Sequence, residues 1–269
     1  MKKFTYIYIV LVYKNHKDLQ SFFKTLDTPN AKVIVVNSFY DENSKNLIEE
    51  IALQNNADFI NLPNKGYGFG NDTGLKYALN NYDFDFAIVN NADIEIKKFN
   101  AAKIATYSKD AIYAPKIKTK SNKDQNPFII NYSSVFRYIY YQGCKKQSNA
   151  LKYFPILING VIRRVFNLFI NSLRLNHLKI YSFHGSFFLI GKEALEKIYP
   201  LYLHEMFLYQ EEHYLARKAY LNNVNTYFIP QDIEIKHFED GSIDFNNQVL
   251  GKHMSDSYII YYEFFNNLK

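Results

Sequence analysis

Tryptophan is absent from the 269 residues and cysteine occurs once. The single Cys144 excludes an internal disulfide and any cysteine-based metal cluster, which fits a reducing compartment. No run reaches the roughly 18 uninterrupted apolar residues of a membrane span. Lys2 and Lys3 before the apolar stretch Tyr6 to Val12 have the outline of a secretion signal. That stretch is short, holds tyrosines and runs into Lys14, Asn15, His16 and Lys17 without a small-residue cleavage site. A first β-strand and a cytoplasmic location are therefore expected. An acidic excess is also missing: Lys+Arg 32 against Asp+Glu 26 leaves a formal net charge of +6. That balance favours anionic partners such as nucleotide phosphates or an acidic membrane face.

What is present is a large apolar and aromatic complement, 48% hydrophobic with Tyr 24 and Phe 23. This is enough for a substantial core and excludes global disorder; some of the many rings are expected on grooves or surfaces. Glycine is scarce at 10, yet Gly66, Gly68, Gly70 and Gly74 fall within the stretch Asn64 to Gly74. Such density is expected where backbone turns tightly or approaches a ligand closely. The stretch lacks the Lys and Ser/Thr ending of a phosphate-cradling loop, and it follows the third apparent strand instead of the first. Kinase and dehydrogenase readings weaken together.

Strands are expected at Phe4 to Val12, Lys32 to Val36, Ala57 to Leu62 and Phe84 to Val89. Helices are expected at His16 to Leu26, Asn43 to Asn55 and about Asp72 to Leu79, with a polar turn from Asn37 to Asn43. This alternation implies right-handed βαβ units and a mainly parallel sheet, an α/β fold whose first 120 residues form a nucleotide-binding half. From Ser121 to about Lys179 the pattern dissolves. There Ile158, Ile162, Val165, Phe166, Phe169 and Leu173 recur at helical spacing opposite Asn159, Arg163, Asn167 and Arg174. The apolar face is expected to pack on the sheet; the alternative is shallow insertion at an anionic membrane surface. Regularity returns with a strand at Ser186 to Ile190, a helix at Glu193 to Ile198 and a helix entered through Phe207 to Glu212. Two late strands at Thr226 to Pro230 and Ile233 to His237, and a terminal helix at Ser257 to Leu268, complete the reading.

The fourth strand runs into Asn90, Asn91, Ala92 and Asp93, delivering a carboxylate to the rim where α/β sheets hold ligands. Asp93 with Asn91 is placed to reach Mg²⁺ or Mn²⁺ and through it a diphosphate; the bland alternative is a strand-end Asx turn. Glu211 and Glu212 open a helix, and one of them could take a proton from a hydroxyl nucleophile, although such pairs are often solvated helix ends. His237, at the end of a short strand, could ligate the same cation as Asp93 or be structural. His184 beside Gly185 is a weaker case.

In order and spacing these segments resemble the family 2 glycosyltransferases of the GT-A fold, especially bacterial enzymes of the rhamnosyltransferase type that assemble surface polysaccharides. The matching residues are Val12, Tyr13 and Asn15, the turn Asn64 through Asn71, the pair Asn91 and Asp93, and the run Ala114, Pro115, Lys116. Later matches are the segment ending in Glu211 and Glu212, then Pro230, His237 and Ser242. The resemblance covers about residues 4 to 120 and 182 to 245. It implies a GT-A nucleotide-diphospho-sugar transferase fold over residues 1 to 269, with a donor-binding half at 1 to 120. A helical and aromatic insertion facing acceptor or membrane would occupy 121 to 180, and an acceptor and catalytic half 181 to 269.

Carried across residue by residue, donor binding falls to Val12, Tyr13, Asn15, Asn37, Asn64, Gly66, Gly68, Gly70, Asn71, Asn91 and Asp93. His184 and Gly185 would meet the acceptor, Asp93 and His237 the Mg²⁺ or Mn²⁺, and Glu212, or Glu211, would be the base. Two positions depart from the family: Asn37 stands where an acid commonly reads the nucleobase, and Glu212 stands for the usual Asp. The implied reaction is inverting transfer from a UDP- or dTDP-linked sugar to a glycan or lipid-linked glycan. Peripheral contact with the inner face of the plasma membrane and no nucleic-acid partner are expected with it. A non-catalytic binding subunit and, less readily, a sugar nucleotidyltransferase are the alternatives; the latter usually needs an N-terminal Gly-rich loop with a basic residue, absent between Val10 and Asn30.

Overall fold

The computed structural model describes residues 2–238 and 248–267. The chain begins with β1 (Lys2–Val12), α1 (His16–Thr25), β2 (Ala31–Phe39), α2 (Glu42–Gln54), β3 (Asp58–Pro63), α3 (Tyr67–Asn81) and β4 (Tyr82–Asn91). It continues through β5 (Ile94–Phe99), α4 (Ala101–Ile104), β6 (Ala111–Ala114), β7 (Lys116–Thr119), α5 (Ser134–Lys145) and α6 (Asn149–Leu173). Then follow β8 (Leu178–Ile180), β9 (Phe187–Gly191), α7 (Lys192–Ile198), α8 (Glu211–Leu221), β10 (Asn225–Phe228), β11 (Ile233–His237) and α9 (Gln248–Asn266).

Alternation along β1 explains the layering. Ile7 and Ile9 face a core shared with Leu75 and Ala78 of α3 and Leu195 of α7. Tyr6, Tyr8 and Val10 face the opposite core, with Leu19 and Phe22 of α1 and Ile48 and Ile51 of α2. A strand buried on both faces needs no polar alternation, which is why β1 reads as one apolar run. The main sheet has the order β3-β2-β1-β4-β9-β6-β10-β8, parallel across β3, β2, β1 and β4. β9 enters between β4 and β6 and is antiparallel to both, so the late chain completes the sheet begun by the early chain. A second sheet, β5-β11-β7, carries His237 at the end of its central strand. Rings are used chiefly as core: Tyr6, Tyr8, Phe86, Phe187 and Phe188 are fully buried, and Tyr141, Tyr214, Tyr258, Tyr261 and Phe265 tie α5, α8 and α9 together.

Three local expectations change. Asn37, Ser38 and Phe39 lie inside β2, because β3 pairs with them through Asn61, Leu62 and Pro63. The helix expected from Asp72 begins at Tyr67, within the glycine stretch. The terminal helix begins at Gln248, and its expected end, Leu268, lies outside the described residues, as does Ser242.

The largest change concerns α6, most of whose apolar face stays off the sheet: Phe166 and Ile170 pack against the core, and Pro155 and Ile170 are its only buried residues. Its polar residues turn inward instead. Asn159 donates to the Phe128 carbonyl at 2.9 Å, Arg163 to those of Asp124 and Gln125 at 2.8 and 2.9 Å, and Asn167 to that of Asn126 at 3.4 Å. Leu157, Val161, Val165, Leu168 and Phe169 face outward. By length and composition α6 could cross a membrane; scattered Asn and Arg residues keep it from registering as an uninterrupted run.

Candidate active site

The carboxyl ends of β1 to β4 come into line: Val12 pairs with Asn37, Asn37 with Asn61, and Leu11 with Asn91. In α/β sheets this edge is where ligands bind, because the loops that follow are free to vary. Tyr13 and Tyr40 stand exposed there with ring centroids 5.7 Å apart, and the Lys14 ammonium lies 3.8 Å from the Tyr40 ring centre. Asn15 donates to Asp18 at 2.5 Å. Asn37 is buried and spends its amide N–H on Asn61 Oδ1 at 2.7 Å.

Close packing occupies the glycines. A Cβ on Gly68 would lie 2.6 Å from the Tyr202 Cβ, one on Gly70 2.5 Å from Leu11 Cδ1, and one on Gly74 2.5 Å from Ile9 Cγ2. These residues let α3 sit down on β1 and on the segment around Tyr202. Gly66 has φ 102 and meets the Phe207 backbone, with Tyr67 N–H donating to the Phe207 carbonyl at 3.0 Å. Asn64 Oδ1 accepts from Gly66 N–H at 3.2 Å, and Asn71 donates to the Tyr67 carbonyl at 3.2 Å. Asp72, unremarked in the sequence, is buried and accepts from Leu201 N–H at 2.8 Å, Tyr202 N–H at 3.2 Å and His204 Nε2 at 2.8 Å. It is the clasp that holds the loop before α8 against α3.

Asp93 and His237 are 144 residues apart in sequence (237 − 93) and meet in space, with Oδ1 to Nε2 at 3.3 Å. Antiparallel pairing of β11 with β5 sets this up, placing His237 opposite Ile94, and Phe238 N–H bonds to the Asp93 carbonyl at 2.9 Å. The other imidazole nitrogen, Nδ1, lies 2.9 Å from Gln125 Oε1. Gln125 also reaches His184, Nε2 to Nε2 at 3.2 Å. Gln125 thus spans the two imidazoles, and His237 presents its other nitrogen, Nε2, to the Asp93 carboxylate. Burial, with His237 and Arg163 nearby, pushes the His184 pKa down to about 3, so this ring is neutral.

His184 N–H donates to Asn126 Oδ1 at 2.7 Å. Gly185, next in the chain, donates its N–H to Glu212 Oε1 at 3.2 Å, and its carbonyl accepts from the Tyr67 hydroxyl at 2.9 Å. A continuous set of contacts thus links Asp93 to Glu212. Tyr209 and Gln210, just before α8, both take left-handed backbone, φ 73 and 72, conformations that cost free energy and recur at functional sites. They deliver Glu211 and Glu212 inward.

Burial and the neighbouring Glu212 push the Glu211 pKa up to about 8, and its Oε1 finds no partner among the described residues. Glu212 is also raised by burial but is opposed by the Gly185 N–H, which favours its ionised form. Below its value of about 8 Glu211 holds a proton, while the backbone N–H groups of Glu212 and Gly185 favour the ionised form of Glu212 against its burial. Gln125 and Asn126, which organise both histidines, were invisible to sequence reasoning because they lie in a polar run with no motif.

Among the described residues, no group of three or more His, Cys, Asp or Glu side chains is disposed to hold a metal ion; Asp93 and His237 form a pair. No family model matches the chain, and no curated protein matches it by sequence. Solved structures do. TarS of S. aureus superposes with TM-score 0.56 at 13% identity, over 87% of this chain and 36% of that one. GalNAc-T7, crystallised with UDP, GalNAc and Mn²⁺, gives 0.57 at 12% identity, over 87% and 44%. TarS residues 1–349 in complex with UDP-GlcNAc gives 0.54 at 15% identity, over 89% and 60%. The chain thus matches from 36% to 60% of the length of these proteins. The fold is α/β and GT-A-like, with a mixed, largely parallel central sheet flanked by helices.

Proposed function

We propose that this chain is an inverting glycosyltransferase, moving a sugar from a UDP- or dTDP-linked donor to a hydroxyl of a glycan or lipid-linked glycan in surface-polysaccharide assembly. The observation that carries the reading is the meeting of Asp93 and His237 at the ligand edge of the sheet, linked by contacts to a buried acid pair on α8. The donor would lie over the ends of β1, β2 and β4, its base near Tyr13, Asn37 and Tyr40. Its diphosphate would lie toward Asp93, and Asn15, Asn64 and Asn91 would line the same edge, with the donor-binding Asn71 buried behind it.

The residues fit a divalent cation. Asp93 Oδ1 and His237 Nε2 lie 3.3 Å apart, close enough for a carboxylate oxygen and a neutral imidazole nitrogen to share one cation. Two protein ligands leave most of a Mg²⁺ or Mn²⁺ shell to phosphate oxygens and water. When bound, the ion would neutralise charge on the departing diphosphate. Glu212 would take the acceptor hydroxyl proton as that oxygen bonds to the anomeric carbon; the bond to the diphosphate oxygen breaks on the opposite face and configuration inverts. Neutral Glu211 keeps a second negative charge out of the site. The segment 121–180 would face the acceptor, with His184 and Gly185 at its border. The outward apolar face of α6 would rest on the inner leaflet of the plasma membrane.

Thermal shift against UDP-, dTDP- and GDP-sugars, with and without Mn²⁺, tests the reading, because a ligand stabilises only the form that binds it. A Mn²⁺-dependent rise with one donor, and donor hydrolysis lost in Asp93→Ala, are expected. Mn²⁺-independent binding without hydrolysis or transfer would instead favour a binding subunit that retains only the fold.

A further inference from the structure

Between Gln125 and Lys192 the chain contains no Asp or Glu, while it carries Arg137, Lys145, Lys146, Lys152, Arg163, Arg164, Arg174 and Lys179. A stretch so one-sided usually keeps its cations in water. Arg137 is the exception, only 9% exposed. It sits among tyrosines, with its guanidinium carbon 5.1 Å from the Tyr261 ring centre and 5.2 Å from that of Tyr262, and Nη1 donating to the Tyr132 hydroxyl at 2.6 Å. Among the described residues its Nε and Nη2 have no acceptor and no carboxylate reaches it. A buried cation without a counter-charge is costly, and ring faces offset only part of that cost.

Arg137 lines a cavity of about 440 Å³ bordered by α5, α6, the segment 128–133, the start of α8 and the middle of α9. That volume lies in the range of small-molecule sites. Three features give it a chemical signature. Its polar groups that lack a partner among the described residues can all donate: besides Arg137, these are the Arg163 Nε and the Tyr181 hydroxyl. Its walls are otherwise apolar, with Phe128, Phe136, Pro155, Ile156 and Ile162 prominent. Ile156 and Ile162, at 48% and 44% exposure, also belong to the outward side of α6, so the cavity wall runs on into the exposed apolar face.

We infer that this cavity binds the phosphoryl headgroup of an amphiphile, with Arg137 and Arg163 on the phosphate oxygens and the aliphatic chain leaving along Ile156 and Ile162. Guanidinium suits this ligand because its fixed N–H fork matches phosphate oxygens in pairs. The site is separate from the donor edge. Gln210 and His213 line it while Glu211 and Glu212 lie between them in sequence, and the Phe128 ring packs against both His184 and His213. An occupant would sit behind the acid pair, and its binding requires no nucleotide sugar.

Isothermal titration of the full chain with three probes separates head from chain: dodecyl phosphate below its micelle concentration, dodecanol and inorganic phosphate. Dodecyl phosphate is expected to bind at least tenfold more tightly than either of the others, with Arg137→Lys weakening it at least tenfold. Ile156→Glu, on an exposed wall position that tolerates change, should weaken dodecyl phosphate similarly and keep the thermal midpoint, so the test survives misfolding of an Arg137 variant. Equal affinity for dodecanol and dodecyl phosphate would overturn the headgroup assignment. Equal affinity for inorganic phosphate would overturn the amphiphile, leaving a free-phosphate site. Wild-type binding in Arg137→Lys and Ile156→Glu would remove the cavity itself. Each of these outcomes leaves the Mn²⁺ and donor experiments untouched.

Discussion

Gly66→Ala separates two roles for the glycine stretch, ligand approach and internal packing. Gly66 has φ 102 and ψ 170, a backbone region essentially reserved for glycine, and placing alanine there costs about 1–3 kcal/mol. A Cβ would also lie 2.3 Å from the Phe207 carbonyl oxygen, a backbone atom that cannot rotate aside. Forced contacts of this kind cost about 1–3 kcal/mol, so the variant should lose about 2–6 kcal/mol. At about 2–4 °C per kcal/mol for a chain of this size, the midpoint should fall by at least about 4 °C. Gly160→Ala is the control, because no heavy atom lies within 4 Å of its Cβ position in α6. It should stabilise by about 0.5–1 kcal/mol through helix propensity alone. Urea unfolding followed by circular dichroism measures both. A Gly66→Ala protein with the wild-type midpoint but weakened donor affinity would refute the packing argument and restore a ligand-facing role.

Glu212→Gln should keep donor-induced thermal stabilisation and lose at least about a hundredfold in transfer rate, the scale of a missing general base. Glu211→Gln, which mimics the protonated form burial favours, should keep the wild-type fold and most activity; the reverse pattern would move the base by one residue. His184 and His213 are both pushed down to about 3 by burial, so unfolding takes up protons below the ordinary histidine value near 6.5. Their stability contribution is complete above that value and is lost as pH falls from 6.5 toward 3, so in a Glu211→Gln background, which removes the opposing carboxyl, the urea midpoint should drop between pH 6.5 and pH 5. Glu211 acts in the opposite sense: its raised pKa favours the fold at low pH, and that contribution is lost as pH rises from 4.5 to about 8. A flat profile in Glu211→Gln over pH 7 to 8.5, where wild type slopes downward, would isolate it. On α6, Leu157→Asp and Leu168→Asp alter side chains 67% and 64% exposed, so each should shift stability by less than about 0.5 kcal/mol. Together they should abolish sedimentation with anionic vesicles, and retained sedimentation would sink the membrane contact.

How much of this was legible in the sequence depended on whether a signal was local. The succession of strand and helix from β1 to β4 was readable because β1, β2 and β4 are buried on both faces and read as apolar runs, while β3 at the sheet edge keeps a shorter one. Asn37 to Phe39 was misread as a turn because its polar residues are paired by β3, a partner that periodicity within β2 does not reveal. Asp93 and His237 could be named separately, but their 3.3 Å meeting arises from β11 pairing with β5, and no spacing rule encodes that pairing. Gln125 gave no signal at all, since an amide in a polar run acquires meaning only from the two imidazoles it touches.

The α6 helix shows the deeper limit. A 3.6-residue period proves that a helix has two unlike faces, and the usual inference sends the apolar one inward, since that burial is the main favourable term in folding. Here Asn159, Arg163 and Asn167 meet backbone carbonyls of segment 124–128 that no strand or helix satisfies. Leaving those carbonyls buried without donors would cost about 1–3 kcal/mol each, and three polar side chains discharge the debt only if they point inward. The apolar side chains then face out as a geometric consequence. Such a helix is stable in isolation from any partner because its anchoring is polar, yet it presents Leu157, Val161, Val165 and Leu168 to the surroundings. Reversing the anchor should therefore release the whole face: Arg163→Ala with Asn159→Ala is expected to increase protease cleavage within 149–173 while β1 to β4 stay protected from hydrogen exchange. Equal protection of α6 in that double variant would show that apolar contacts, and not the carbonyl bonds, hold the helix in place.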